Sequence, residues 1–275
     1  MTRKFSISFL THATLLPPDQ AVMARKIGYD AIGVRLAPSV PGGIFAPLIK
    51  DKAMLAETLR RLDDTGIPVF DIEMIRLKPE FNVADWKPFL ETAAALRAKA
   101  ILVACDDPDE PRLIANFAAL CAAALPCGLT CDLEFMPFSE VKDARTAVRI
   151  VSEAGQPNGR ILPDSLHIAR SGTTLDDLRA IPREMLGYGQ ICDGPGEMPA
   201  TMEEMIFIAR CARLQPGEGG IDLPPIFAAL PADLPISVEV PHDVRLAQVG
   251  QEEWARRCLA TSKASIAKSD ALRAL

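Results

Sequence analysis

Short β-rich runs separated by longer helical patterns recur eight times along this chain, and that alternation constrains the fold more than any other feature. The runs are "FSISFL" (5–10), "AIGVRL" (31–36), "PVFDIEM" (68–74), "AILVAC" (100–105), "LTCDLEF" (129–135), "GRILPD" (159–164), "GYGQICD" (187–193) and "ISVEVP" (236–241). Between them lie helical stretches such as "DKAMLAETLRRLDDTG", "DWKPFLETAAALRAKA", "SEVKDARTAVRIVSEAG" and "TMEEMIFIARCARL". In the first of these Asp51 suits an N-cap and Gly66 suits the position after the last turn. Strands alternating with helices build βαβ units, and so a parallel sheet. Eight units of roughly thirty residues fit a (β/α)8 barrel. The longer gap before the last run holds "PGEGGIDLPPIFAALPAD", a turn plus one short extra helix near 221–230. An open doubly wound sheet usually carries G-x-G-x-x-G after its first strand, and "FLTHATLLPPD" has none. The expected fold is α/β, a single (β/α)8 TIM-barrel domain over residues 1–275.

Composition narrows the partners. The formal net charge is -6, basic residues are scattered, and there are only two Trp and two Tyr. A nucleic-acid binder needs an electropositive stripe with stacking aromatics, so a polyanion is disfavoured. No apolar run approaches the ~20 residues of a membrane span. The start, "MTRKFSISFLTHATLLPPDQ", lacks a small-residue cleavage site and reads as a first strand rather than a signal peptide. The seven cysteines are odd in number and form no C-x-x-C pair, which argues against a disulfide framework or a structural zinc site. A reducing, cytoplasmic compartment is expected. Cys131 and Cys192 lie close to strand ends.

Chemistry in a barrel belongs to the C-terminal ends of the strands. The polar residues there are His12, Arg35, Asp71 with Glu73, Asp106 with Asp107, Glu134, Asp164, Gln190 with Asp193, and Glu239. Glu134 in "CDLEF", Asp164 in "LPDSLH", Gln190 in "YGQIC" and Glu239 in "SVEVP" stand out, because they lie in or just after apolar segments of four consecutive strands. Any one acid is as well explained by an ion pair with Arg160 or Arg35, or by capping the next helix. Four such positions on adjacent strands, with no compensating base among them, call for a cation, since unpaired buried charge is too costly to keep. A divalent metal is the simplest supplier. His167, three residues after Asp164, leans over the same rim. Asp193 is placed to orient a neighbouring side chain or cap the next loop. His242 suits solvent.

The order Glu134, then Asp164-x-x-His167, then Gln190 ahead of x-x-Asp193, then Glu239-Val-Pro resembles the xylose isomerase-like TIM-barrel superfamily, in particular its sugar phosphate isomerase/epimerase branch. The resemblance covers nearly the whole chain and includes "IGYDAIGVRL" and "PGEGGIDLPPIFAAL". It implies metal ligands at Glu134, Asp164, Gln190 and Glu239, acid–base roles for Glu134 and Glu239, and substrate contact by His167. His12, Arg35 and Glu73 complete the expected substrate pocket. Two positions depart from the pattern. Relatives usually have a histidine where Gln190 stands, and commonly a glutamate near Arg35. An arginine there suits a carboxylate or phosphate.

The all-oxygen ligand set favours Mg²⁺ or Mn²⁺, with Zn²⁺ and Co²⁺ as alternatives. The leading expectation is a metal-dependent isomerase or epimerase of a small hydroxy-carbonyl compound, acting through an enediolate. The second is a dehydratase of a carboxylated polyol, like the dehydroshikimate dehydratase branch. A hydrolytic, apurinic-endonuclease-like reading is disfavoured by the three histidines and the acidic surface. A degenerate barrel serving as a binding subunit is the non-enzymatic alternative, and a homo-oligomer fits the family by analogy. The loops "APSVPGGIFAPLIK" and "DGPGEMPATM" are expected to shape the pocket.

Overall fold

In a computed structural model that describes residues 3–273, the eight expected runs each contain a strand. The elements are β1 (Phe5–Ile7), α1 (Pro17–Ile27), β2 (Ala31–Arg35), α2 (Lys52–Thr65), β3 (Val69–Leu77), α3 (Lys87–Ala95), β4 (Ala100–Cys105), α4 (Glu110–Ala124), β5 (Thr130–Glu134) and α5 (Ala144–Ala154). There follow β6 (Gly159–Leu162), α6 (Ser165–Arg170), α7 (Leu175–Ala180), β7 (Gly189–Ile191), α8 (Met202–Cys211), α9 (Leu223–Ala229), β8 (Ile236–Val238), α10 (Asp243–Val249) and α11 (Gln251–Arg273). All paired strands are parallel, in the order β6-β5-β4-β3-β2-β1-β8-β7. Between β6 and β7 the barrel is closed, among the described residues, by the isolated bridges Ile161↔Leu186 and Asp164↔Gln190.

Several strands are shorter than the apolar runs that contain them. After β1 the chain turns into a 3-10 helix, Phe9–His12, with the Ser8 side chain accepting from the Leu10 N–H. Pro163 lacks the N–H that a ladder needs, and β6 ends just before it, while β8 ends at Val238, three residues ahead of Pro241. The first helix boundary falls as expected. The Asp51 side chain accepts from Met54 N, and Gly66 takes φ 68°, the left-handed region that glycine enters without a Cβ penalty. The short extra helix is α9, inside the span expected for it. Among the described residues no helix is long and apolar enough to cross a membrane.

The outer faces of the strands pack on the helices in one large apolar cluster that includes Ile7, Ile72, Leu133 and Trp254. A smaller cluster holds Ala100, Leu102, Ala104, Leu162 and Tyr188. Because side chains alternate with a period of two, Ser6 and Ser8, Asp71 and Glu73, Asp132 and Glu134, and Ser237 and Glu239 share the barrel's inner face. The interior is therefore polar at its floor as well as its rim. Asp71 and Asp132 are fully buried, burial raises the pKa of both, and that of Asp132 reaches about 7. Both Asp71 oxygens, Tyr188 Oη, Ser6 Oγ and Ser237 Oγ lack protein partners, an arrangement that ordered water satisfies in other proteins.

Candidate active site at the carboxylate rim

Asp164 sits where β6 can go no further. Pro163 stops the ladder, and Asp164 then caps α6: its Oδ1 accepts the N–H groups of Leu166 (2.8 Å) and His167 (3.1 Å). Its other oxygen, Oδ2, accepts from Arg213 Nη1 at 2.7 Å. Glu239 follows β8; its Oε1 accepts from Ser8 Oγ (2.8 Å) and Gln190 Nε2 (3.0 Å), while its Oε2 pairs with Arg213 Nη2 at 2.7 Å. Glu134 ends β5, with its Oε1 3.6 Å from His167 Nε2 and without a hydrogen-bond partner. Glu134, Asp164 and Glu239 each bring one oxygen to a cluster whose members lie within 4.8 Å of one another. His167 is held edge-on against Phe138, with ring centroids 5.3 Å apart.

Arg213 corrects the expectation that no base compensates these acids. It is 2% exposed, bridges Asp164 and Glu239, and is steered by bonds from Nε to Ala209 O (2.7 Å) and from Nη1 to Cys192 Sγ (3.2 Å). It lies just after α8, in a loop rather than at a strand end. The available signal was "RLQPGEGG", a basic residue leading into a glycine-rich turn. Asp193 fixes that turn: its carboxylate accepts N–H bonds from Gly217 (2.9 Å), Gly219 (3.0 Å) and Ile221 (3.1 Å). A Cβ on Gly219 would stand 2.2 Å from Gly194 O, so only glycine fits this approach. Asp193 therefore caps the loop, as one of its two expected roles required.

The other expected residues divide. Glu73, Arg35, His167, Glu134, Arg213 and Glu239 line one cavity of about 310 Å³. Arg35 is partly engaged within the protein: its Nη2 pairs with Glu73 Oε2 at 2.7 Å and its guanidinium rests on the Phe9 ring, while its Nε has no acceptor. Cross-strand register causes this, since Arg35 and Glu73 are paired residues of β2 and β3. His12 does not line the cavity. It is fully buried with neither ring nitrogen bonded, and burial pushes its pKa down to about 4. Arg160 bonds the carbonyls of Pro157 and Gly159 rather than an acid. His242 caps α10 instead of facing solvent freely. Of the two pocket-shaping loops, Ser39, Val40, Gly43 and Ile44 of the first reach the cavity wall. The second contributes through the end of the helix it leads into, Ala209–Cys211.

Electrostatics set the four rim groups apart. Burial, then the charges of Glu239 and Asp164, hold the Glu134 carboxyl well above its ordinary range. Burial with Glu73 and Asp164 nearby pushes Glu239 to about 7, even against Arg213. Asp164 is also buried, but Arg213, helped by the His167 backbone N–H, outweighs that and keeps its pKa below the usual range. His167 is pushed down to about 4 by burial, so it is a neutral donor or acceptor at pH 7.

The donor set fits a divalent cation. Arg35 pairs with Glu73, and the single guanidinium of Arg213 serves both Asp164 and Glu239, so the three clustered carboxyls share one paired arginine. Glu134 Oε1 and Gln190 Oε1 are buried acceptors without partners, and every candidate ligand atom is an oxygen.

The sequence matches the family model described as Xylose isomerase-like TIM barrel over residues 22–263. The chain belongs to this family. No curated protein matches it. Among solved structures, the IolI protein with a bound zinc atom is 19% identical with a TM-score of 0.80, over 97% of this chain and 99% of that one. The D-allulose 3-epimerase from Methylomonas sp. in complex with D-allulose is 16% identical with a TM-score of 0.69, over 96% and 98%. A xylose isomerase-like TIM barrel/4-hydroxyphenylpyruvate dioxygenase fusion protein is 18% identical with a TM-score of 0.78; the match covers 95% of this chain, which spans only 42% of that protein's length. At these identities the likenesses carry the fold and nothing finer.

Proposed function

We propose that this member of the family is a divalent-metal-dependent isomerase or epimerase of a small sugar-like hydroxy-carbonyl compound. The observation that carries the reading is the pair of buried glutamates, Glu134 on β5 and Glu239 after β8, clustered with Asp164 on the cavity that His167 also lines. Glu134, Asp164, Gln190 and Glu239 would hold the ion, with Mn²⁺ or Mg²⁺ preferred by the oxygen donors. When bound, it supplies Lewis-acid polarisation of a carbonyl and its neighbouring hydroxyl. One glutamate takes the proton from the hydroxyl-bearing carbon beside the carbonyl; the C–H electron pair forms the C=C bond and the carbonyl π pair moves onto its oxygen, giving an enediolate. The other glutamate returns a proton to the opposite face of the same carbon, or to the former carbonyl carbon while the hydroxyl proton passes to the other oxygen. His167 hydrogen-bonds a substrate oxygen, and Arg213 keeps Asp164 and Glu239 oriented.

A dehydratase of a carboxylated polyol starts with the same abstraction and then expels a β-hydroxyl; the arginines on the cavity wall favour keeping it as the second reading. The seven unpaired cysteines suit a reducing, cytoplasmic setting. The test is incubation of the Mn²⁺-loaded protein with a panel of ketoses and hydroxy-keto acids in D₂O, read by NMR. The expected result is deuterium incorporation at carbon, slowed about 10²-fold or more by Glu134→Gln or Glu239→Gln. Incorporation that both variants leave intact would overturn the reading.

A further inference from the structure

Four arginines line the cavity: Arg35, Arg76, Arg210 and Arg213. Three are committed. Arg35 pairs with Glu73 (2.7 Å), Arg213 with Asp164 and Glu239 (2.7 Å each), and Arg76 with Asp106 (2.6 Å) while its Nε bonds Ser39 O (3.1 Å). Arg210, in the last turn of α8, has no ion pair among the described residues. Burial, and then the neighbouring charge of Arg76, disfavour its positive charge; Cys211 and Asp106 favour it, and Arg35 adds a smaller push against it. Arg35 is 7% exposed, yet its Nε is a buried donor with no acceptor. The cavity's other rim acid, Asp243, sits beside the Cys211 thiol and pairs with none of the four arginines among the described residues. A cluster of like charges holding surplus donors is stable when an anion sits against it.

We propose that Arg210, with Arg76 and Arg35 beside it, forms a subsite for an anionic group, a carboxylate or a phosphate, on the substrate. This deepens the function proposed above and rests on it: the hydroxy-carbonyl end lies at the glutamates and the anionic end at Arg210. Arginine suits the role because its planar fork meets two oxygens of either group at once.

The experiment uses three five-carbon probes, ribose 5-phosphate, ribonate and uncharged ribitol, titrated calorimetrically into the wild-type chain, Arg210→Ala and Arg210→Lys. The expected result is that one anionic probe binds about tenfold or more tighter than ribitol, as a charge-assisted contact requires. Arg210→Ala should erase that preference without changing ribitol binding or Tm, and Arg210→Lys should retain part of it. A preference for ribose 5-phosphate identifies a phosphate site, and one for ribonate a carboxylate site. Equal binding of all three probes, or a preference that survives Arg210→Ala, would overturn the subsite. Failure of the glutamate chemistry is separable. In that case the Arg210-dependent preference persists in protein that gives no deuterium exchange.

Discussion

Each oxygen of Asp164 is already engaged by the protein, and Glu239 accepts three hydrogen bonds or ion pairs, whereas Glu134 Oε1 and Gln190 Oε1 have none. The free valence of the site is thus concentrated on two residues. Gln190→His would exchange an amide oxygen for an imidazole nitrogen, and it should shift binding preference from Mg²⁺ toward Zn²⁺. Competition dialysis with both ions checks this. His12 predicts a pH effect. Its folded pKa of about 4 lies below the unfolded value of about 6.5, so unfolding takes up a proton between those pH values. Stability should therefore be complete above pH 6.5 and fall as pH drops toward 4, by at most roughly 3 kcal/mol for this residue. Glu239 acts in the opposite sense, because its raised pKa makes stability fall as pH rises from about 4.5 toward 7. Urea unfolding of the wild type and His12→Met across this range isolates the histidine. The wild type should lose stability on acidification more steeply than the variant.

At the scale of elements, the stretch between β7 and β8 decides what the site is. Asp193 gathers three N–H groups of the turn after Arg213, and backbone bonds between Asp193 and Leu214 hold the arginine's chain neighbour. Asp193→Ala leaves those donors unsatisfied and should cost about 1–3 kcal/mol in chemical unfolding. It should also loosen Arg213, seen as faster amide exchange over 213–221. The strands and the carboxylate rim were legible in the sequence, because β-rich apolar runs have few alternatives and an acid inside such a run needs a reason to be there. Arg213 was not legible, since a loop arginine beyond a helix carries no periodic signature. The Arg35–Glu73 pair was hidden for a different reason: it depends on the register of β2 against β3. His12 followed a strand end like the residues that line the cavity, but the 3-10 turn carries it into the packed interior.

For the whole molecule, the barrel brings Glu134, Asp164 and Glu239 from distant parts of the chain to one cluster, where Arg213 is the one arginine ion-paired to them among the described residues. A divalent ion that binds the folded state alone must then stabilise the entire fold, by about 2.7 kcal/mol at a hundredfold excess over Kd. The direct measurement is thermal unfolding of metal-stripped protein titrated with Mn²⁺, Mg²⁺ and Zn²⁺, in parallel with Glu239→Gln. The account predicts a saturable rise in Tm for the wild type that the variant loses. No rise with any ion, or an equal rise in Glu239→Gln, would contradict it.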